Sequence, residues 1–177
     1  MPNTRTSASR SESASPDPTM LARAQTGPGD WLALALEHHD QIRAAFNTAR
    51  KALPGGARIS AMKGLAIVLN GHSLAEEVVL YPALATLADA EHAEEAYDEQ
   101  SEAKIQMAQL ERLDPSTAAW LEKLEEIVEA VSAHMENEES SWFLAIKANY
   151  PDQAKLTARF KEEFERYTRT GIVATNC

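Results

Sequence analysis

Two stretches of this chain repeat one arrangement of side chains able to hold a cation. In NGHSLAEEVVLYPAL, Asn70 to Leu84, His72 is followed four residues later by Glu76; in HMENEESSWF, His134 is followed at the same spacing by Glu138. Four residues of helix amount to about 40° of rotation and about 6 Å of rise, so each imidazole and its carboxylate can reach one point. Both pairs sit in apolar stripes. Leu65, Val68 and Leu69 precede His72 and Val79 and Leu80 follow it, while Leu124, Ile127, Ala130 and Val131 precede His134. A third histidine, His39 in HHDQIRAAF, shares its helix face with Leu32, Leu36, Ile42 and Phe46. His38 is turned away by about 100° and is expected at the core boundary.

A single His-x-x-x-Glu on an acidic helix is ordinarily a surface pair worth a few tenths of a kcal/mol. Three imidazoles and two carboxylates on apolar faces make a different case. An unpaired carboxylate costs several kcal/mol to bury, a large part of a domain's net stability. A divalent or trivalent cation removes that penalty, and imidazole with carboxylate suits iron, manganese or zinc. The candidate metal ligands are therefore His39, His72, Glu76, His134 and Glu138. Glu77 lies about 140° from His72 and is expected to face solvent or a neighbouring helix.

These side chains need long helices to position them. Glycine (7) and proline (8) are few, and alanine, leucine and glutamate abound. The spacing predicts helices over about Trp31–Leu53, Ser60–Leu87 with a kink at Pro82, Glu91–Leu113 and Thr117–Ala148. A shorter fifth helix is expected to end near Tyr167. Asp30 is placed to cap the first, and Pro54-Gly55-Gly56 and Asp114-Pro115-Ser116 punctuate the chain. The expected fold is all-α: an antiparallel up-down four-helix bundle with an additional short C-terminal helix. Residues 1–29, rich in Ser, Arg and Pro, are expected to be a disordered tail, 30–168 the bundle and 169–177 a flexible end.

Composition excludes other classes. A net charge of −10 without a Lys/Arg cluster argues against nucleic acid. No apolar run approaches the roughly 18–20 residues that span a bilayer. The lone Cys177 offers neither a disulfide nor a thiolate metal site, and a reducing cytoplasm suits it. No histidine has a glutamate three residues before it, so the Glu-x-x-His of ferritin-like di-iron bundles is absent.

HHDQIRAAF, GHSLAEEVVLYPAL and HMENEESSWF, in that order over about Trp31–Lys147, resemble the hemerythrin-like, HHE cation-binding family. The resemblance implies a non-haem centre of two irons, oxo- or hydroxo-bridged. His39, His72 and His134 would be terminal ligands, and Glu76 and Glu138 would bridge. It further implies a small diatomic gas or peroxide as partner, with carrying, sensing, storage and weak oxidase-like or peroxide-consuming activity all open.

The third helix departs from that pattern. Its inner face, Ala93, Ala96, Ala103, Met107 and Leu110, carries Gln100 where the family has histidine. The alternative this leaves open is a single metal, or none, in a bundle whose role is structural or regulatory. Tyr97, one turn earlier, is a candidate phenolate ligand or hydrogen-bonding neighbour of the metal; Gln100 and His38 are further candidate ligands or neighbours.

Overall fold

The computed structural model describes residues 18–87 and 90–174. Among these there is no strand, and the helices form an antiparallel bundle. They are α1 (Pro18–Arg23), α2 (Trp31–Lys51), α3 (Gly56–Ala75), α4 (Tyr81–Thr86), α5 (Ala90–Arg112), α6 (Ala118–Asn137), α7 (Phe143–Asn149) and α8 (Gln153–Ala174). Two π-helical turns, Glu76–Leu80 and Glu138–Trp142, join α3 to α4 and α6 to α7, making two long interrupted helices.

Local chemistry sets the ends. Asp30 is extended, and its carboxylate accepts from the backbone amides of Ala33 (2.8 Å) and Gly27 (2.7 Å), capping α2. Lys147 of α7 reaches the same carboxylate, so the cap also ties the two helices together. After α2, Gly55 takes a φ of 89°, a conformation that glycine adopts without steric penalty. Arg58 anchors the next turn by donating to the carbonyls of Pro115 (2.8 Å) and Thr117 (3.1 Å), with its guanidinium over the Trp120 ring.

Apolar side chains gather in two clusters. One contains Trp31, Leu36, Leu80, Tyr81, Trp142 and Phe143; the other contains Ile42, Phe46, Leu65, Leu69, Ile127 and Met135. His39 falls between Leu36 and Ile42 along α2, and His72 falls between Leu69 and Ala75 along α3. The candidate ligands therefore occupy the break between two dry cores.

The C-terminal helix differs from the expectation of a short cover. It extends from Gln153 to Ala174 because Leu156, Phe160 and Phe164 form one continuous apolar edge against the bundle. That packing also corrects the placement of His38. It is buried, not at a boundary, since the Phe164 ring stacks on it at 3.6 Å between centroids and the Phe160 ring lies at 5.5 Å. Helix α1 lies within the stretch expected to be tail, and Ala22 is fully buried. Residues 1–17 and Cys177 lie outside the described residues.

Two predictions test this packing. A Cβ on Gly71 of α3 would meet Thr168, Tyr167 and Phe164 of α8 at 3.1, 3.3 and 3.4 Å. Gly71→Val should therefore destabilise the protein by about 1–3 kcal/mol in urea titration. At Asp30, burial raises the carboxyl pKa, but Lys147 and the two capping amides outweigh it and leave it lowered. Its stabilising contribution is full above the unfolded value of about 3.9 and disappears as pH falls through the lower folded value. Asp30→Ala should cost about 1–2 kcal/mol at pH 7, and the gap to the unsubstituted protein should close below about pH 4.

Candidate metal centre

His39, His72, Glu76 and Glu138 come together in the interior, and one donor atom from each lies within 4.8 Å of the others. Both carboxylates have no exposed surface. His39 Nε2 is 3.2 Å from Glu138 Oε2, and His72 Nε2 is 3.0 Å from Glu76 Oε1. Among the described residues these four atoms find no hydrogen-bond partner. Buried polar atoms without partners are uncommon because each sacrifices its hydration. Four of them within 4.8 Å of one another, two imidazole nitrogens and two carboxylate oxygens, match a cation in number and type.

The other oxygen of each carboxylate faces a second group. Glu138 Oε1 lies 3.3 Å from His134 Nε2 and accepts from the Tyr81 hydroxyl at 3.0 Å. Glu76 Oε2 accepts from Gln100 Nε2 at 2.7 Å and lies 3.4 Å from the Tyr81 hydroxyl. That hydroxyl is also 3.1 Å from His134 Nε2 and accepts from Gln100. Each carboxylate thus presents one oxygen to the His39–His72 half and one to the His134–Tyr81 half.

The charges in this cluster divide unevenly. Burial, with the neighbouring Glu138 charge, pushes the Glu76 carboxyl well above the usual carboxylate range. Burial also penalises the Glu138 anion, but His134 and His39 outweigh that and hold it well below the usual range. His134 loses stability as a cation through burial, yet Glu138 and Glu99 raise its pKa to about 10. His72 goes the other way: burial and the adjacent His39 hold its ring neutral, the form that ligates.

The outward ring nitrogens are held too. Glu139 Oε1 accepts from His39 Nδ1 at 2.7 Å, and Glu99 Oε2 accepts from His134 Nδ1 at 2.7 Å. Such carboxylate partners select the tautomer that leaves Nε2 free to ligate. Glu139 also pairs with Arg43 at 2.7 Å and accepts from the Thr19 hydroxyl of α1. A small cavity of about 20 Å³ adjoins the cluster, bordered by Ile42, Leu69, Gln100, Val131, His134 and Met135. It is large enough for about one water-sized molecule.

The three histidines and two glutamates singled out from sequence lie in one cluster, with His134 in the Tyr81 half. Gln100 is buried against Glu76 and Tyr81 through its amide nitrogen. Tyr97 does not reach the cluster. It lies on the outer side of α5, and its hydroxyl donates to the Glu77 carbonyl at 2.6 Å. His38 touches the site only through its ring, 5.7 Å from that of His72.

Glu99 carries no signal in the sequence; Tyr81, with Pro82, and Glu139, the acid after its His/Glu pair, resemble the family's motifs, but the resemblance gives neither a role at the site. For Tyr81 the cause is the π-turn. On a regular helix it lies about 140° from Glu76. The Tyr81 amide instead bonds to the Glu76 carbonyl, five residues back, which spends one extra residue and swings Tyr81 inward by about 100°. Pro82 is the local signal: without an amide hydrogen it cannot pair with the Val78 carbonyl, which accepts from Arg159 of α8 instead.

A family model described as the Hemerythrin HHE cation binding domain matches residues 32–146. A solved structure of a hemerythrin HHE cation-binding domain-containing protein from Mycobacterium kansasii superposes with a TM-score of 0.70. The alignment has 22% identity and covers 80% of this chain and 88% of that one, a likeness of fold. A curated protein from Nostoc sp. named DNA nickase is 33% identical over 97 residues, 55% of this chain and 27% of the relative. The match therefore reaches only a minor part of that longer protein.

Gln100 supplies the prediction here. Gln100→Leu preserves bulk but removes the donor to Glu76 and Tyr81. Leaving these buried oxygens short of a partner should cost about 1–3 kcal/mol in denaturant titration of the metal-free protein.

Proposed function

Because this chain belongs to the hemerythrin HHE cation-binding family, we propose that its buried cluster holds iron for dioxygen or another small oxidant or gas. Nitric oxide and peroxide are included, and the use is sensing, storage or oxidant handling. The observation that carries the reading is the division of carboxylate oxygens. Glu76 and Glu138 each offer one oxygen to His39 and His72 and the other to His134 and Tyr81. Those residues would hold two ions, His39 and His72 one and His134 the other, with both carboxylates serving each and the Tyr81 hydroxyl beside the second. Imidazole and carboxylate form a donor set suited to iron. Bound iron would supply reversible one-electron chemistry and Lewis acidity.

The chain's own residues do the rest. Glu139 and Glu99 fix the His39 and His134 rings so that each Nε2 points inward. Gln100 takes the place where the family has an imidazole, and its amide holds Glu76 Oε2 and the Tyr81 oxygen. A carboxamide is a weaker iron ligand than imidazole, so this side of the cluster has fewer strong donors and favours an open position. The adjoining cavity, walled by Ile42, Leu69, Val131 and Met135, would admit a small ligand while limiting water.

A second reading, one metal in a structural or regulatory bundle, draws on one observation. In the His134 half a protonated imidazole and the Tyr81 hydroxyl already satisfy the Glu138 oxygen. Metal counting separates the two. Protein purified from iron-supplied cells should carry two irons per chain and change its visible spectrum with peroxide. His134→Ala should reduce the count to one, and Glu138→Ala, which serves both halves, should reduce it further. A double His72→Ala, His134→Ala variant that retains all its metal would rule out the assignment.

A further inference from the structure

Tyr81 joins the buried cluster to the surface. Its hydroxyl lies within hydrogen-bonding distance of Glu138 and His134, while its ring meets Tyr97 edge-on, with centroids 5.1 Å apart and planes at 83°. Tyr81 is 1% exposed and Tyr97 is 38% exposed. The Tyr97 hydroxyl is fixed by the Glu77 carbonyl, which holds the outer ring against the inner one. Two readily oxidised phenols in contact, one on the site and one in solvent, form a continuous path. Trp142 also approaches His134, at 5.7 Å between rings, but it is buried and presents no comparable outer face.

We propose that Tyr81 and Tyr97 form a one-electron conduit, through which small reductants at the surface deliver electrons to the buried centre. The destination of the electrons rests on the iron reading above; the coupling of the two rings does not. Reduction of one hydrogen peroxide to two waters takes two electrons and two protons. Tyr81 supplies them in two passes, one electron and its phenol proton in each. In each pass Tyr97 then gives an electron to the Tyr81 radical, which takes up a proton from water, and Tyr97 releases its own proton to water. A one-electron donor such as ascorbate, supplying an electron and a proton, restores Tyr97.

The experiment has two arms. In the metal-free protein, photo-oxidised tris(bipyridine)ruthenium attacks exposed phenols, and oxidation products are mapped by peptide mass spectrometry. Product is expected at Tyr97 and also at Tyr81, which the reagent cannot touch directly. Tyr97→Phe should abolish the Tyr81 product. Absence of Tyr81 product in the unsubstituted protein, or its persistence in the variant, overturns the conduit. In the second arm, protein with its iron counted is mixed with hydrogen peroxide and frozen for electron paramagnetic resonance. A tyrosyl signal that ascorbate quenches, with quenching lost in Tyr97→Phe, supports delivery to the centre. A signal on Trp142 that is indifferent to Tyr97→Phe overturns that route. Coupling in the first arm with no bound iron in the second supports the paired phenols and removes the iron reading alone.

Discussion

Two carboxylates placed side by side without solvent are the constraint around which this bundle is organised. Glu76 and Glu138 are completely buried, and each isolated charge there would oppose folding by several kcal/mol. The surrounding groups answer that cost in different ways on the two residues. Glu76, its pKa pushed up by burial, receives the Gln100 amide, whereas His134 and His39 hold the Glu138 pKa well down. A cation bound to the free oxygens would relieve both carboxylates at once, which is why metal binding and folding are coupled at such sites.

That central pair dictates what lies outside it. Glu139 and Glu99 turn the imidazoles inward, and each is held in turn by the surrounding scaffold. Arg43 and the Thr19 hydroxyl of α1 hold Glu139; Asn137 donates to Glu99 at 3.3 Å. Helix α8 closes the other side by laying Phe160 and Phe164 over His38 and His72. The apolar clusters at both ends keep the break between them dry, so each hydrogen bond inside it acts in a low dielectric.

The π-turns are the geometric means by which the two motif helices serve this centre. Each begins at the glutamate of a His-x-x-x-Glu, where the Glu76 and Glu138 carbonyls accept bonds from residues five positions on. Up to that glutamate the regular helical period holds, so histidine and carboxylate share a face. Beyond it the register shifts, bringing Tyr81 to the cluster on one helix. On the other, Glu139 is buried beneath α1, while Glu77, its counterpart in the motif, pairs with Lys104 near the surface.

Sequence by itself determined the all-helical bundle and the faces that carry His39, His72, Glu76, His134, Glu138 and Gln100, because those depend on a period of 3.6 residues and on apolar neighbours. It also located the Asp30 cap and the break at Pro54-Gly55-Gly56, where local backbone chemistry decides. Tertiary structure decided what local periodicity does not contain. His38 is buried because a helix more than a hundred residues later in the chain lies over it. Glu139 differs from Glu77 because α1 covers one and not the other. Tyr81 faces the cluster because an extra residue in one helical turn shifts the direction of the side chains that follow it in that helix, and there it meets Gln100 of α5 and His134 of α6. Side-chain direction along one helix is a local property; what waits at the end of that direction is supplied by the rest of the chain.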